Sequence, residues 1–296
     1  MIPKITAVLL FNVMVAILPV YALEKAVDSN SSGVIGPASV TVLCDNVLIR
    51  IDGPKMWTPS RIEYKGTLLG VEDSAYGTVF KFPEIGFIGT AHFLDRPDGR
   101  EDVKKLEYFL DDKKLDLPGQ NIKGNKFRLC KVSRILECGL DSVVELRNNC
   151  IYETTVITTG KQVPLELVYN FMHAWTPIAT AVLAHSYDGN ELDKTFDDAG
   201  RKEYLLKDLE WAAVYDANSC KGAVSYLITK PTVGGADFLI VNAPKVYRKY
   251  YVMSFVNQTV PAGFSGTYKM VTGFFEAPLD KWQEAARKVA SELSRN

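Results

Sequence analysis

Residues 143–159 read VVELRNNCIYETTVITT. Valine, isoleucine and threonine dominate the stretch, and branching at Cβ suits the pleated surface of a sheet better than a helix. The run therefore predicts strand. Its neighbours at 127–136 and 163–175 have the same character and comparable length. Toward the N-terminus, Val40, Val42 and Cys44 alternate with Thr41 and Leu43. Residues 47–51 then follow across Asp45-Asn46, a tight hairpin pair. Strand patterns recur at 61–69 and 78–82. At 106–110 the pattern leads into Asp111-Asp112 and Lys113-Lys114, a hairpin with a charged tip. On the C-terminal side they recur at 203–215, 223–229, 238–241, 247–255 and 266–275.

The end of the chain changes period. Trp282, Ala285, Ala286, Val289, Ala290 and Leu293 recur at helical intervals, with Asp280 as cap and Gln283 in capping-box spacing. This predicts one amphipathic helix whose apolar stripe packs on a sheet. About fifteen strands spread evenly and followed by a single helix imply an all-β class: one large antiparallel β-sandwich over residues 38–296.

The N-terminus has the parts of an export signal. Lys4 precedes an apolar stretch at 5–18 broken only by Thr6 and Asn12. Pro19 ends it, and Val20-Tyr21-Ala22 offers small residues for a peptidase. Residues 1–22 are thus expected to be a signal peptide cleaved after Ala22, which makes the mature protein secreted or periplasmic. Residues 23–37 form a polar, flexible leader. No later segment is long and apolar enough to span a bilayer, so no stable membrane insertion is expected after cleavage. The net charge of −1 and the scatter of the 34 basic residues give no field to attract nucleic acid.

Five cysteines, Cys44, Cys130, Cys138, Cys150 and Cys220, leave at least one thiol unpaired. Cys130 and Cys138 are placed to meet across a hairpin, although all five also read as small core hydrophobes. No C-x-x-C spacing points to zinc or thiol exchange. Nucleophile-elbow, Walker, dinucleotide and H-E-x-x-H motifs are absent as well. No metal site and no cofactor are expected.

Three histidines carry the candidate proton chemistry. His92 follows a glycine-punctuated stretch at 86–91. His173 lies near the end of the apolar run that closes at Trp175. His185 precedes Ser186-Tyr187-Asp188-Gly189. The turn signal Thr176-Pro177 suggests that His173 and His185 approach each other on neighbouring strands. Flat apolar faces for a sugar ring are offered by Trp57, Trp175, Tyr76, Tyr187 and the run at 247–251, YRKYY. Strand alternation puts Tyr247, Lys249 and Tyr251 on one side of that run and Arg248 and Tyr250 on the other, so only one set can look into a cleft. Arg61 and Glu63 share a face, as a cleft pair or as a surface ion pair.

The order of parts resembles the galactose-mutarotase-like β-supersandwich proteins, which include aldose epimerases and domains of polysaccharide lyases. The resemblance runs over about residues 61–276. It rests on the early glycine-punctuated His92, the mid-chain His173 and the late aromatic strand ending Gln258-Thr259-Val260-Pro261-Ala262. It implies a supersandwich fold and His173 as the general acid toward a ring oxygen. The family's late glutamate base has no counterpart, because Phe255-Val256 stands at its place. The functional expectation is an exported carbohydrate-active protein, an epimerase-like isomerase or a polysaccharide lyase, acting on a mono- or polysaccharide. His173 and His92 are the catalytic candidates. Arg61, Trp175, His185, Arg248 and Tyr250 are the substrate-binding candidates, with Arg61 or Arg248 neutralising a carboxylate in a lyase. The alternatives are a noncatalytic carbohydrate-binding module and a structural or interaction protein of the export compartment.

Overall fold

The computed structural model describes residues 37–71, 77–90, 92–116 and 118–295. The expected export signal at 1–22, the expected leader up to residue 36, and Tyr76 lie outside them. The stretch at 143–159 is β throughout except at its centre. Asn148 and Asn149 both adopt positive φ, 52° and 56°, a conformation asparagine tolerates and a tight hairpin turn demands. The single run is therefore two strands, Cys138–Arg147 and Cys150–Thr159, paired antiparallel from Cys138↔Thr159 to Arg147↔Cys150. The hairpins expected at Asp45-Asn46 and at Asp111-Asp112 form as read.

Two large sheets face each other. The larger has 11 strands. Lys202–Leu206, Asp237–Ala243, Tyr247–Ser254 and Leu167–Trp175 form one half. Thr67–Gly70, Thr58–Tyr64, Val47–Asp52, Ser39–Cys44 and Asn121–Gly124 form the other. Gly77–Phe82 also pairs with Leu167–Trp175 and carries Gly86–Gly89 at its free side. Every pairing is antiparallel except that of Ser39–Cys44 with Asn121–Gly124. The second sheet has 10 strands and includes the Cys138–Arg147 hairpin at its middle.

Alternation drives the burial. Val40, Val42 and Cys44, then Val47, Ile49 and Ile51, point inward and are fully buried, while their neighbours are half-exposed. Phe127, Leu129, Leu146 and Met270 meet them from the second sheet. Each such side chain contributes about 1.5–3 kcal/mol of transfer free energy, and the continuous core between the sheets holds the sandwich closed.

The C-terminal helix, Trp282–Leu293, covers the outer face of the second sheet with Trp282, Ala286, Ala290 and Leu293. Trp282 stacks on Tyr215 at 5.1 Å. Asp280 does not cap it: the N-cap is Lys281, and no side chain bonds the free amides there. Two further readings change. Residues 203–215 are two strands in different sheets, Lys202–Leu206 and Leu209–Asp216, separated where Asp208 takes φ 57°. All five cysteines are unpaired, and Cys220 is exposed rather than in the core. Cys130 lies opposite Val143 and Cys138 opposite Ile135, so the two do not meet.

Candidate functional site

The strand Leu167–Trp175 decides which residues share a surface. Against Tyr247–Ser254 it pairs Asn170↔Val252 and next His173↔Tyr250, three steps on one strand against two on the other. The extra residue is a β-bulge, with Phe171 held at φ 48°. It reverses the alternation. Val168 and Asn170 point inward, and after the bulge so do His173 and Trp175, while Tyr169 and Met172 face outward. An unbroken alternation would have put His173 and Trp175 beside Tyr169.

His173 is consequently sealed between the sheets at 1% exposure. Its Nε2 lies 2.7 Å from Glu153 Oε2, on the second sheet. Tyr250 Oη lies 3.4 Å from His173 Nδ1 and donates to Ser225 Oγ at 2.5 Å, and Ser225 shares a hydrogen bond of 2.7 Å with Thr272. Trp175 meets the imidazole edge-on at 5.5 Å. Burial pushes the Tyr250 phenol above its usual range, so it stays protonated and donates. The network links two strands of the larger sheet to three of the second. Such groups are costly to bury alone and stable only when mutually satisfied.

Beside it lies a small hollow whose walls include Thr90, Glu101, Lys131, Glu153 and Thr155. Here Lys131 pairs with Glu101 at 2.7 Å, donates to Met56 O at 2.9 Å, and Ser133 donates to Glu101 at 2.6 Å. Lys131 and Glu101 thus neutralise each other here.

The remaining sequence candidates are dispersed. Arg248 is buried facing inward, donating to Asp198 at 3.1 Å. Arg61 donates to Glu63 at 2.6 Å on the surface. His185 is on the second sheet and away from His173, which corrects the expectation that the two meet: the chain changes sheets at the turn between them. Its Nδ1 lies 3.0 Å from Glu210 Oε2, Tyr226 donates to the same carboxylate at 3.1 Å, and the ring stacks on Trp211. Of the proposed set, His173, Trp175 and Tyr250 come together, and they do so in the core.

The outer face of the larger sheet gathers a different set. Tyr169 and Tyr251 lie with ring centroids 3.9 Å apart, and Phe87 stacks on Tyr169 at 5.7 Å. Tyr247 and Met253 continue the apolar surface. Burial raises both the Tyr169 and Tyr251 phenols above their ordinary range, and the two hydroxyls are hydrogen-bonded to each other, Tyr251 donating to Tyr169. Lys249 lies between Tyr247 and Tyr251 along its strand, half-buried, with its ammonium 5.6 Å from the Tyr247 ring centre. Burial, then the charges of Lys55 and Arg201, pull its amine down to about 8. His92 stands at the rim, 5.9 Å from Phe87. Burial draws its imidazole down to about 4; the bond to Thr90 opposes this and the Lys249 charge adds to it. Its Nδ1 lies 2.8 Å from Thr90 O and must donate to that carbonyl, which leaves Nε2 as the acceptor in the neutral ring.

The backbone holds His92 there through paired bonds with Gly89, 3.1 and 3.0 Å. Gly89 has φ 150°, and a Cβ on it would come within 2.5 Å of Thr78 O, so this close approach requires glycine. Sequence reading found His92 but missed Phe87, Tyr169, Tyr251 and Lys249 as a group. The alternation of residues 247–251 already placed Tyr247, Lys249 and Tyr251 together. Among the described residues, no cluster of three His, Cys, Asp or Glu is arranged to hold a metal ion.

No protein-family model matches the sequence, and no curated protein is similar to it. Solved structures share its fold. A protein from Synechocystis sp. PCC 6803 aligns with TM-score 0.51 at 11% identity, over 81% of this chain and 96% of its own. An alpha-galactosidase from Lactobacillus brevis aligns with TM-score 0.50 at 9% identity, over 82% of this chain and 40% of that longer one. A galactose mutarotase-like protein from Clostridium acetobutylicum gives TM-score 0.48 at 9% identity, over 81% and 95%. Identities this low speak to the fold alone, and the fold is the galactose-mutarotase-like one that the resemblance implied.

Proposed function

We propose that this protein is a carbohydrate-binding protein whose site is the outer face of the larger sheet, with His92 as its proton-handling histidine. The observation that carries the reading is the contiguous aromatic cluster of half-buried Phe87 and Tyr169 packed with buried Tyr251, with His92 at its rim. A pyranose presents C–H groups on one face and hydroxyls around its edge. Flat aromatic rings suit the first, and the protonated Tyr169 phenol with the imidazole Nε2 suits the second. Two structures of this fold are named for action on galactosides, the Lactobacillus brevis enzyme and the galactosidase domain of an alpha-galactosidase–sucrose kinase.

His92 also suggests how epimerase-like chemistry would run here. A neutral imidazole drawn down to about 4 has the basicity of a carboxylate. It would take the part of the glutamate that Phe255-Val256 replaces, accepting a proton from an anomeric hydroxyl at Nε2 as the C1–O5 bond breaks, with water protonating the ring oxygen. A binding module without turnover is the second reading. It is favoured by the pairing of Glu203 on this face with Arg201, at 2.8 and 3.2 Å, which leaves that carboxylate engaged. We further propose that the mature protein meets its sugar outside the cytoplasm, in keeping with the signal at 1–22.

Titration with a panel of monosaccharides, followed by chemical shifts, tests the site, and exchange between anomers tests the chemistry. Tyr251→Ala is expected to weaken sugar binding about tenfold, the equivalent of about 1.4 kcal/mol of lost ring contact. His92→Gln is expected to abolish any accelerated anomer exchange while binding persists. An unchanged dissociation constant in Tyr251→Ala refutes this location for the site.

A further inference from the structure

We propose that the sugar bound on this face carries an anion, a carboxylate or a phosphate, and that Lys249 receives it. The proposal rests on the reading of the outer face as the sugar site and names the class of sugar.

The charges on and around this face are unequal in their partners. Arg201 is held by Glu203. Lys81 is paired with Glu166 and lies over the Phe87 ring at 5.4 Å. Arg248, the next residue along the strand, points inward to Asp198. Lys249 alone of these has no ion pair or hydrogen bond to another described residue. It sits half-buried with Tyr247 on one side and Tyr251 on the other, and on the outer face its cross-strand neighbours are Ala174 and Val241. Neither can accept a hydrogen bond from it through a side chain.

The field at Lys249 is positive as well. Lys55 and Arg201 both disfavour its ammonium, and its own charge disfavours protonation of His92. A half-buried cation among cations, with aromatic walls, is an unfavourable arrangement for the free protein. A sugar-borne anion would relieve it. It would gain a charge-assisted hydrogen bond in a partly desolvated setting, while the sugar ring lies on the flanking tyrosines. A neutral sugar would leave the excess charge uncompensated. The surface thus discriminates by what Lys249 lacks, a counter-charge of its own, as much as by what it offers.

The test measures dissociation constants by calorimetry at pH 7 and low salt for glucose, glucuronate, galacturonate and glucose 6-phosphate. The wild-type protein is expected to bind at least one anionic sugar tenfold or more tightly than glucose, and the preferred arm identifies carboxylate or phosphate. Lys249→Met and Lys249→Gln are each expected to bring the ratio of anionic to neutral affinity to within about twofold of unity, and Lys249→Arg to restore most of it. Thermal melts accompany each variant to establish that it is folded. Glucose binding as tight as that of every anionic sugar overturns this proposal and leaves the sugar site standing. A preference that survives in both Lys249→Met and Lys249→Gln overturns it too. Failure of all four ligands to bind overturns the sugar site and this proposal together.

Discussion

Replacing His173 by alanine removes one member of a pair in which both side chains are almost wholly enclosed, 2% and 7% exposed. Glu153 would keep its carboxylate between the sheets, 2.7 Å from where Nε2 had been, with the imidazole's space empty beside Trp175 and Tyr250. Breaking a buried pair by deleting one partner costs about 3–5 kcal/mol. A domain of this size loses roughly 2–4 °C per kcal/mol, so the melting temperature should fall by about 6–20 °C. The double variant His173→Ala/Glu153→Ala removes the orphaned carboxylate. It should be less destabilised than the sum of the two single changes, by up to about 3 kcal/mol of coupling. Urea unfolding of the four proteins of this cycle supplies the numbers, and sugar titration of the same set supplies the control. The sugar's dissociation constant should stay within about twofold in any folded member. Two results refute the reasoning: a loss of stability below about 1 kcal/mol in His173→Ala, or a collapse of sugar binding with stability intact. The second would return His173 to the role the family resemblance gives it.

Other outcomes follow from the same geometry. The His92 imidazole should titrate with a midpoint near 4 by proton chemical shift. Its folded value is below the ordinary one, so between about pH 4 and 6.5 the unfolded chain binds more protons and stability rises with pH; His92→Gln should lose that part of the rise. Gly89→Ala should cost about 1–3 kcal/mol, because its Cβ would press on Thr78 O at 2.5 Å, and chemical shifts should show His92 displaced even where the protein remains folded. Expression through an export pathway should yield a mature N-terminus at Leu23 by mass spectrometry; an intact Met1 would refute cleavage after Ala22.

Much of the fold was legible because sheets write a period of two into the chain. The alternation at 40–44 set apart Val40, Val42 and Cys44, which fill the core, and the tight turns at Asp45-Asn46 and Asp111-Asp112 are local matters of backbone sterics. The helix at 282–293 was equally local, since its apolar stripe recurs at helical spacing. In residues 247–251 the sequence even sorted Tyr247, Lys249 and Tyr251 from Arg248 and Tyr250.

Which of those two sets faces away from the second sheet was a tertiary matter. Inside and outside exist only once a second sheet covers one side. The same residues would read alike if Arg248 and Tyr250 faced solvent. His173 and Trp175 turned inward because of one extra residue at Phe171, and a bulge has no signature in an otherwise continuous apolar run. Phe87, Tyr169 and Tyr251 come from strands far apart in the chain and meet only through the order of the larger sheet. The sequence by itself determined most of the strand-forming stretches and, away from the bulge at Phe171, their two faces. The tertiary structure decided which face is core and which is surface, because that choice belongs to the packing of sheet on sheet and not to any one strand.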